Sequence, residues 1–177
     1  MIKADDLRDL RTGSDDYEKT EALKADFLKQ RDERQPFFLT AEELDRVFRW
    51  KLRGQYGRQH QLRAKSSDAA YRAVVEATFK IVGPDLEYES ATRLRLLTAL
   101  PGIGIPVASA ILALTEPAHY CVIDFRGWRA VFGEMRNNFT IKDYLRYRTE
   151  VARFAAELGW SAQETDLAIW ELDRRHS

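Results

Sequence analysis

The chain has little cysteine and little histidine, and these shortages exclude several kinds of site. Cys121 is the only cysteine among 177 residues, so no disulfide can close within the chain and no cysteine-rich zinc site can form. The three histidines are scattered along the sequence and are not spaced as a set of metal ligands. We therefore expect no bound metal and no cofactor.

The chain also lacks an excess of charge of either sign. Lys and Arg together number 28, as do Asp and Glu, so no overall field attracts nucleic acid and any basic surface must be local. The stretch from Arg46 to Lys65 contains seven Lys or Arg and no acidic residue. It is either a solvated helix face and loop or a surface that contacts phosphates. Within it we predict Lys51, Arg53 and Arg58 as phosphate contacts.

A secretory leader is not evident in the sequence. The first residues show no charged segment followed by an apolar one, so we expect a cytoplasmic protein. Hydrophobic residues make up 45% of the chain, which is enough to bury one good core. We predict a single compact unit over residues 1–177, without a long linker.

Capping residues and the spacing of apolar positions predict a chain made almost entirely of helices. The predicted N-caps are Ser14, Thr40, Ser67, Thr140 and Ser161. Helices are predicted to end at or near Gly54, Gly83 and Gly159. We expect an all-α fold with no β-sheet of consequence.

The residues from Leu96 to Thr115 form a run of twenty without a charge, long enough by count to span a bilayer. The sequence Pro101-Gly102-Ile103-Gly104-Ile105-Pro106 divides this run into two pieces that are each too short to span. It predicts a helix, a tight glycine-rich turn and a second helix. We therefore expect no membrane contact from this run.

The two glycines of the turn also suggest a dinucleotide-binding fingerprint, because an acidic residue follows Gly104 by twenty positions. That fingerprint requires a buried strand before the glycines. Residues 90–100 carry two arginines and space their leucines as a helix does, so we expect no dinucleotide. The helix after Gly104 is predicted to offer free backbone N–H groups to an anion, and the anion we expect is the backbone of a nucleic acid.

Residues 90–114 resemble the helix-hairpin-helix motif, with Gly102 and Gly104 in the turn and Ala108 where the two helices pack. Asp124 extends the resemblance to the helix-hairpin-helix base-excision DNA glycosylases, in which a similarly separated catalytic Asp precedes a helix. The match covers about forty residues, from Leu94 to Gly133.

The resemblance implies roles for several residues. Asp124 becomes the catalytic carboxylate. The hairpin residues Gly102, Ile103 and Gly104 become contacts to the phosphate backbone of double-stranded DNA. Arg126 and Arg129, which stand where those enzymes often carry His and Arg, become further DNA contacts.

The resemblance also implies a two-lobed helical fold with a base pocket between the lobes. We expect one lobe over residues 40–125, including the hairpin, and a second lobe formed by residues 1–39 together with 126–177. Phe125 and Trp128 are candidates to line the pocket, although aromatic residues near a helix start often belong to the core.

Two departures from the family narrow the expected activity. Some relatives hold an iron–sulfur cluster with four Cys after the helix that follows the catalytic Asp, and this chain has none there. Pro106 stands where strand-cutting members carry the Lys that attacks the sugar as an amine. We therefore expect no Schiff-base lyase.

Two classes of function stay open. A carboxylate at Asp124 can stabilise the cationic sugar formed when a glycosidic bond breaks, and can orient or deprotonate water. Asp124 also fits a simple N-cap that accepts N–H bonds from Arg126 or Gly127. The sequence thus predicts either a monofunctional DNA glycosylase or a helix-hairpin-helix module that binds DNA or another partner without cutting it.

Overall fold

The computed structural model describes residues 2–13 and 17–176, and no β-strand occurs among them. Nine α-helices and two 3₁₀ segments make up the regular structure of these residues. The helices are α1 (Tyr17–Glu33), α2 (Ala41–Leu52), α3 (His60–Arg63), α4 (Asp68–Lys80), α5 (Leu86–Thr98), α6 (Ile105–Thr115), α7 (Phe125–Phe132), α8 (Ile141–Leu158) and α9 (Ala162–Arg175). The 3₁₀ segments are Ala4–Leu10 and Arg53–Gln59. The all-α prediction is confirmed.

Most predicted helix starts coincide with caps in the structure. Thr40, Thr140 and Ser161 each form a reciprocal capping box, and Ser67 accepts a hydrogen bond from the N–H three residues later. These bonds satisfy backbone donors that a helix leaves unpaired in its first turn. The cap predicted at Ser14 lies outside the described residues.

Two features of the amino-terminal half differ from the sequence analysis. Helix α5 begins at Leu86, ahead of the predicted motif boundary, because the Asp85 side chain caps it. The 3₁₀ segment Ala4–Leu10 was not predicted, yet Leu7 and Leu10 are buried in the core. Four charged side chains in this short segment obscure the spacing of its apolar residues.

Helix α6 occupies the centre of the core. Every residue of α6 except Pro106 is buried, and α1, α2, α5 and α9 pack around it. A helix that is apolar on all sides is stable when other elements cover all sides. The uncharged run of the sequence is therefore a core helix together with the turn before it. None of the described helices combines the length and apolar character that a bilayer crossing requires.

Helices α7, α8 and α9 pack together in the carboxy-terminal part of the fold, and the 3₁₀ segment Ala4–Leu10 lies on α9. Helix α1, in contrast, packs on α6. The amino-terminal residues thus contribute to two sides of the molecule, whereas the sequence analysis placed residues 1–39 in one lobe. The division into two lobes stays a prediction.

Gly127 lies inside α7, where glycine lowers helix stability, and packing against α8 explains its presence. A Cβ atom at this position would collide with the hydroxyl group of Tyr147. Tyr147 is fully buried, and its hydroxyl donates a hydrogen bond to Asp166. The tyrosine therefore has little room to move away.

We predict that Gly127→Ala lowers the free energy of unfolding by about 1–3 kcal/mol, the usual cost of overpacking a core. Chemical denaturation followed by circular dichroism measures the change. Gly57→Ala is the matched control, because a Cβ atom there meets nothing within 4 Å, and it should change stability by less than about 0.5 kcal/mol. Equal stability of Gly127→Ala and wild type would contradict the close packing of α7 on Tyr147.

Candidate functional site

A cleft with a volume of about 1070 Å³ lies between the hairpin turn, residues 101–104, and the start of α7. The end of α2 with the 3₁₀ segment that follows it forms one part of the lining, and one face of α9 forms another. The loop between α7 and α8 supplies further lining from residues 135–139. Gly104 and Asp124 both line the cleft, so the hairpin and the predicted catalytic carboxylate border the same cavity.

Asp124 is the N-cap of α7, and its two carboxylate oxygens have different partners. Oδ1 accepts hydrogen bonds from the backbone N–H groups of Arg126 and Gly127, each at 3.0 Å. Oδ2 lies 3.0 Å from Nζ of Lys51. The predicted cap is confirmed. The Asp124 side chain is also 20% exposed, so the carboxylate is open to the cleft and not sealed in the core.

Lys51 is a partner of Asp124 that the sequence analysis did not foresee. It lies near the end of α2, 73 residues before Asp124, and its side chain is only 10% exposed. The sequence predicts Lys51 as a phosphate contact, whereas in the structure its ammonium group is bound to a carboxylate. Pro106 supplies no amine, yet the fold brings the Lys51 amine to Asp124 from another helix.

The other predicted basic residues fall into two groups. Arg53 and Arg58 are exposed and line the cleft. Arg126 and Arg129 form ion pairs with Asp173 on α9, at 3.1 and 2.7 Å. These pairs connect α7 to α9, and Arg126 also lines the cleft.

Of the three predicted hairpin contacts, Gly104 alone is exposed. Ile103 is buried in the core, and its N–H donates to the carbonyl of Leu100, so the structure does not support it as a ligand contact. Gly102 adopts a φ of 78°, and a Cβ atom there would collide with the Arg63 side chain. The turn itself therefore requires glycine at this position. A Cβ atom on Gly104 would meet only Cδ of Pro106, at 3.8 Å, so there is open space beside Gly104.

The start of α6 offers fewer backbone donors than the sequence analysis predicted. Pro106 has no N–H group, and the N–H of Val107 donates to the carbonyl of Gly104 at 3.0 Å. An anion at this turn would depend on the N–H groups of Gly104 and Ile105.

Aromatic side chains form much of the apolar lining. They are Trp50, Phe125, Phe139 and Trp170. The guanidinium carbons of Arg53 and Arg126 lie 4.9 and 5.5 Å from the ring centroid of Trp170, within the range of cation–π attraction. Phe125, a candidate for lining a base pocket, lines this cleft. Trp128 does not, because it is fully buried in the core against Phe132.

The wall formed by α9 was not identified from the sequence. Its lining residues follow the spacing i, i+3, i+4, i+7 and i+11, which places them on one helical face. They are Gln163, Asp166, Leu167, Trp170 and Arg174. The same spacing puts Asp166 on one face with Leu167 and Trp170, so an acidic residue among apolar ones was the available signal.

Asp166 brings a second carboxyl group to the cleft. Oδ1 accepts a hydrogen bond from the Tyr147 hydroxyl at 2.5 Å, and Oδ2 accepts one from the backbone N–H of Val122 at 3.0 Å. Burial raises the pKa of Asp166 to about 7, and the nearby charge of Asp124 acts in the same direction. The two hydrogen bonds oppose this shift because they stabilise the ionised form.

Cys121 lies in the non-helical segment just before Asp124 and is fully buried. Burial raises the pKa of its thiol well above the usual value, which disfavours the reactive thiolate. Within the described residues, no group of three or more His, Cys, Asp or Glu side chains is arranged to hold a metal ion.

Comparison of the chain with protein-family models, with curated proteins and with solved structures finds no match. Functional inference therefore depends on the motif residues and on the geometry of the cleft.

We predict that Lys51 and Asp124 are energetically coupled. A double-mutant cycle with Lys51→Met and Asp124→Asn should give a coupling free energy of about 1–3 kcal/mol, because each single change leaves a largely buried group without its partner. Denaturation of the four proteins measures this coupling.

The ion pair between Arg46 and Asp26 is the control for this cycle, because both of its side chains are about half exposed. Exposed pairs usually contribute about 0–1 kcal/mol. A coupling between Lys51 and Asp124 no larger than the control would count against an ion pair at the site.

Proposed function

We propose that this protein binds double-stranded DNA and releases a damaged base from it as a monofunctional DNA glycosylase. The observation that carries the proposal is the position of Asp124. Its carboxylate is fixed at a helix start and faces a cleft of about 1070 Å³ that the hairpin borders. A carboxylate that served as a cap alone would not need such a cleft beside it.

The lining of the cleft supports a nucleic-acid ligand. It contains five Lys or Arg residues and two Asp residues, so the cleft is locally basic although the chain is neutral. Local positive charge binds phosphates, and aromatic faces stack on bases. A nucleotide turned out of a duplex needs a pocket with both properties.

In this proposal Asp124 acts on the sugar. When the bond between the sugar carbon C1′ and the base nitrogen breaks, the electron pair leaves with the base and the sugar acquires positive charge. The carboxylate stabilises that charge. Water then adds to C1′ and gives up a proton, which Asp124 accepts. Lys51 keeps the carboxylate in one orientation beforehand.

A second function, DNA binding without cleavage, is favoured by the same ion pair. Nζ of Lys51 lies 3.0 Å from Asp124. Its positive charge offsets the negative charge that would stabilise the sugar cation. In that case the pair connects α2 to the start of α7, and the cleft holds DNA without chemistry.

Duplexes that carry an alkylated, oxidised or deaminated base separate the two functions. We predict that the protein releases free base from at least one of them and leaves a strand that breaks only after alkali. Pro106 supplies no amine for cutting, and the Lys51 amine is bound to Asp124. Asp124→Asn retains a capping oxygen but loses the charge, so base release should fall by about 100-fold or more while folding and DNA binding persist.

Asp85→Asn is the matched control, because Asp85 caps α5 in the same way and does not belong to the lining of the cleft. It should release base at the wild-type rate. Wild-type protein that binds duplex DNA but releases nothing would disprove the enzyme and leave the second function. Protein that neither binds nor cleaves would disprove both.

DNA binding through the cleft should depend strongly on salt. We predict that Arg58→Ala lowers the slope of log K against log salt concentration by about one, as for the loss of one phosphate contact. Fluorescence anisotropy of a labelled duplex measures the slope. Lys29→Ala is the control, because Lys29 is exposed on α1 and outside the cleft. Equal slopes for wild type and Arg58→Ala would argue against phosphate binding at Arg58.

A further inference from the structure

The segment that precedes α7 is neither helix nor strand, and no strand occurs among the described residues, so its buried backbone N–H groups need side-chain partners. The N–H of Ile123 donates to Oγ of Ser109 on α6, at 3.2 Å. The N–H of Val122 donates to Oδ2 of Asp166 on α9, at 3.0 Å. Side chains of α6 and α9 thereby fix the position of the backbone immediately before Asp124.

Asp166 is itself held firmly. It is only 6% exposed, and its second oxygen is bound by the Tyr147 hydroxyl. The titratable groups that face it come from three parts of the fold: Tyr147 from α8, Cys121 and Asp124 from the segment at the start of α7, and Lys51 from α2. Both Asp166 and Asp124 line the cleft.

We propose that Asp166 is a positioning residue for Asp124, which it holds through the backbone of Val122 while placing a second carboxyl group beside the Asp124–Lys51 pair. The effect of Asp166 on base release rests on the proposed function. The effect of Asp166 on the Asp124 carboxylate does not rest on that function and can be measured separately.

The charge of this second carboxyl group changes near neutral pH. Because burial raises the pKa of Asp166 to about 7, the group is neutral at lower pH and ionised at higher pH. An ionised Asp166 adds negative charge near the sugar cation, and it accepts a stronger hydrogen bond from the N–H of Val122. Base release should therefore rise as the pH increases through about 7.

Asp166→Asn and Tyr147→Phe test this role by pH–rate profiles. Asp166→Asn retains the size of the side chain but cannot ionise. The rise near pH 7 should disappear, and release should slow by up to about 100-fold, the effect of displacing a reacting group by about 1 Å. Tyr147→Phe removes a hydrogen bond that lowers the pKa of Asp166, so the rise should move to higher pH. A residue that only supported the fold would not move this midpoint.

Carboxyl ¹³C NMR of Asp-labelled protein tests the inference without any activity. The Asp124 resonance should show a step near pH 7 in wild type, no such step in Asp166→Asn, and a step at higher pH in Tyr147→Phe. If Asp166→Asn does not fold, the shift in Tyr147→Phe decides the question.

An Asp124 resonance that is insensitive to the ionisation of Asp166 would overturn the inference, as would identical pH–rate profiles for wild type and Asp166→Asn. Wild-type protein that releases no base, but whose Asp124 resonance shows the step near pH 7, would disprove the proposed function and leave the role of Asp166 in place.

Discussion

A helix with no polar face can exist in water only when other elements surround it, and α6 imposes this constraint on the whole fold. Its side chains are buried in every direction, so α1, α2, α5 and α9 must converge on it from distant parts of the sequence. The exposed residues at its start are Gly104 and, in part, Pro106. The place where this buried helix reaches the surface is also the edge of the cleft, so core packing determines which part of the hairpin borders the cavity.

The carboxylate of Asp124 serves two purposes at once. One oxygen satisfies two backbone donors at the start of α7, and the other forms the ion pair with Lys51. Capping uses only Oδ1, so the partner of Oδ2 is a side chain from another helix and not the backbone of α7. The interpretations left open by the sequence, a cap or a site residue, are therefore compatible in the structure.

The burial of the Asp166 carboxyl group beside the cleft affects the stability of the folded state. The Asp166 pKa of about 7 lies above the ordinary value of 3.8, so the folded state binds this proton more tightly than the unfolded state. The contribution of Asp166 to stability is therefore greatest below about pH 4 and declines as the pH rises to about 7. Groups retained at the expense of stability are more common at functional sites than elsewhere.

Local features of the fold could be predicted from the sequence because they depend on neighbouring residues. Thr40, Ser161 and Asp124 were identified as caps from the residues that follow them, and the structure bears these out. Periodicity shows which face of a helix is apolar, but it does not identify the element that the face meets. The pairing of Lys51 with Asp124 and the bond from Val122 to Asp166 span 73 and 44 residues, beyond the reach of such patterns.

These long separations mean that the cleft is a property of the complete chain. A fragment limited to residues 90–114 would lose the Lys51 side of the cleft and all of α9. Contacts between distant residues require long loops to close. The chain loses entropy in closing them before the contacts contribute to stability. A formed cleft therefore requires that the early and late parts of the chain have both docked on the central helix, and detachment of α9 would remove one part of its lining.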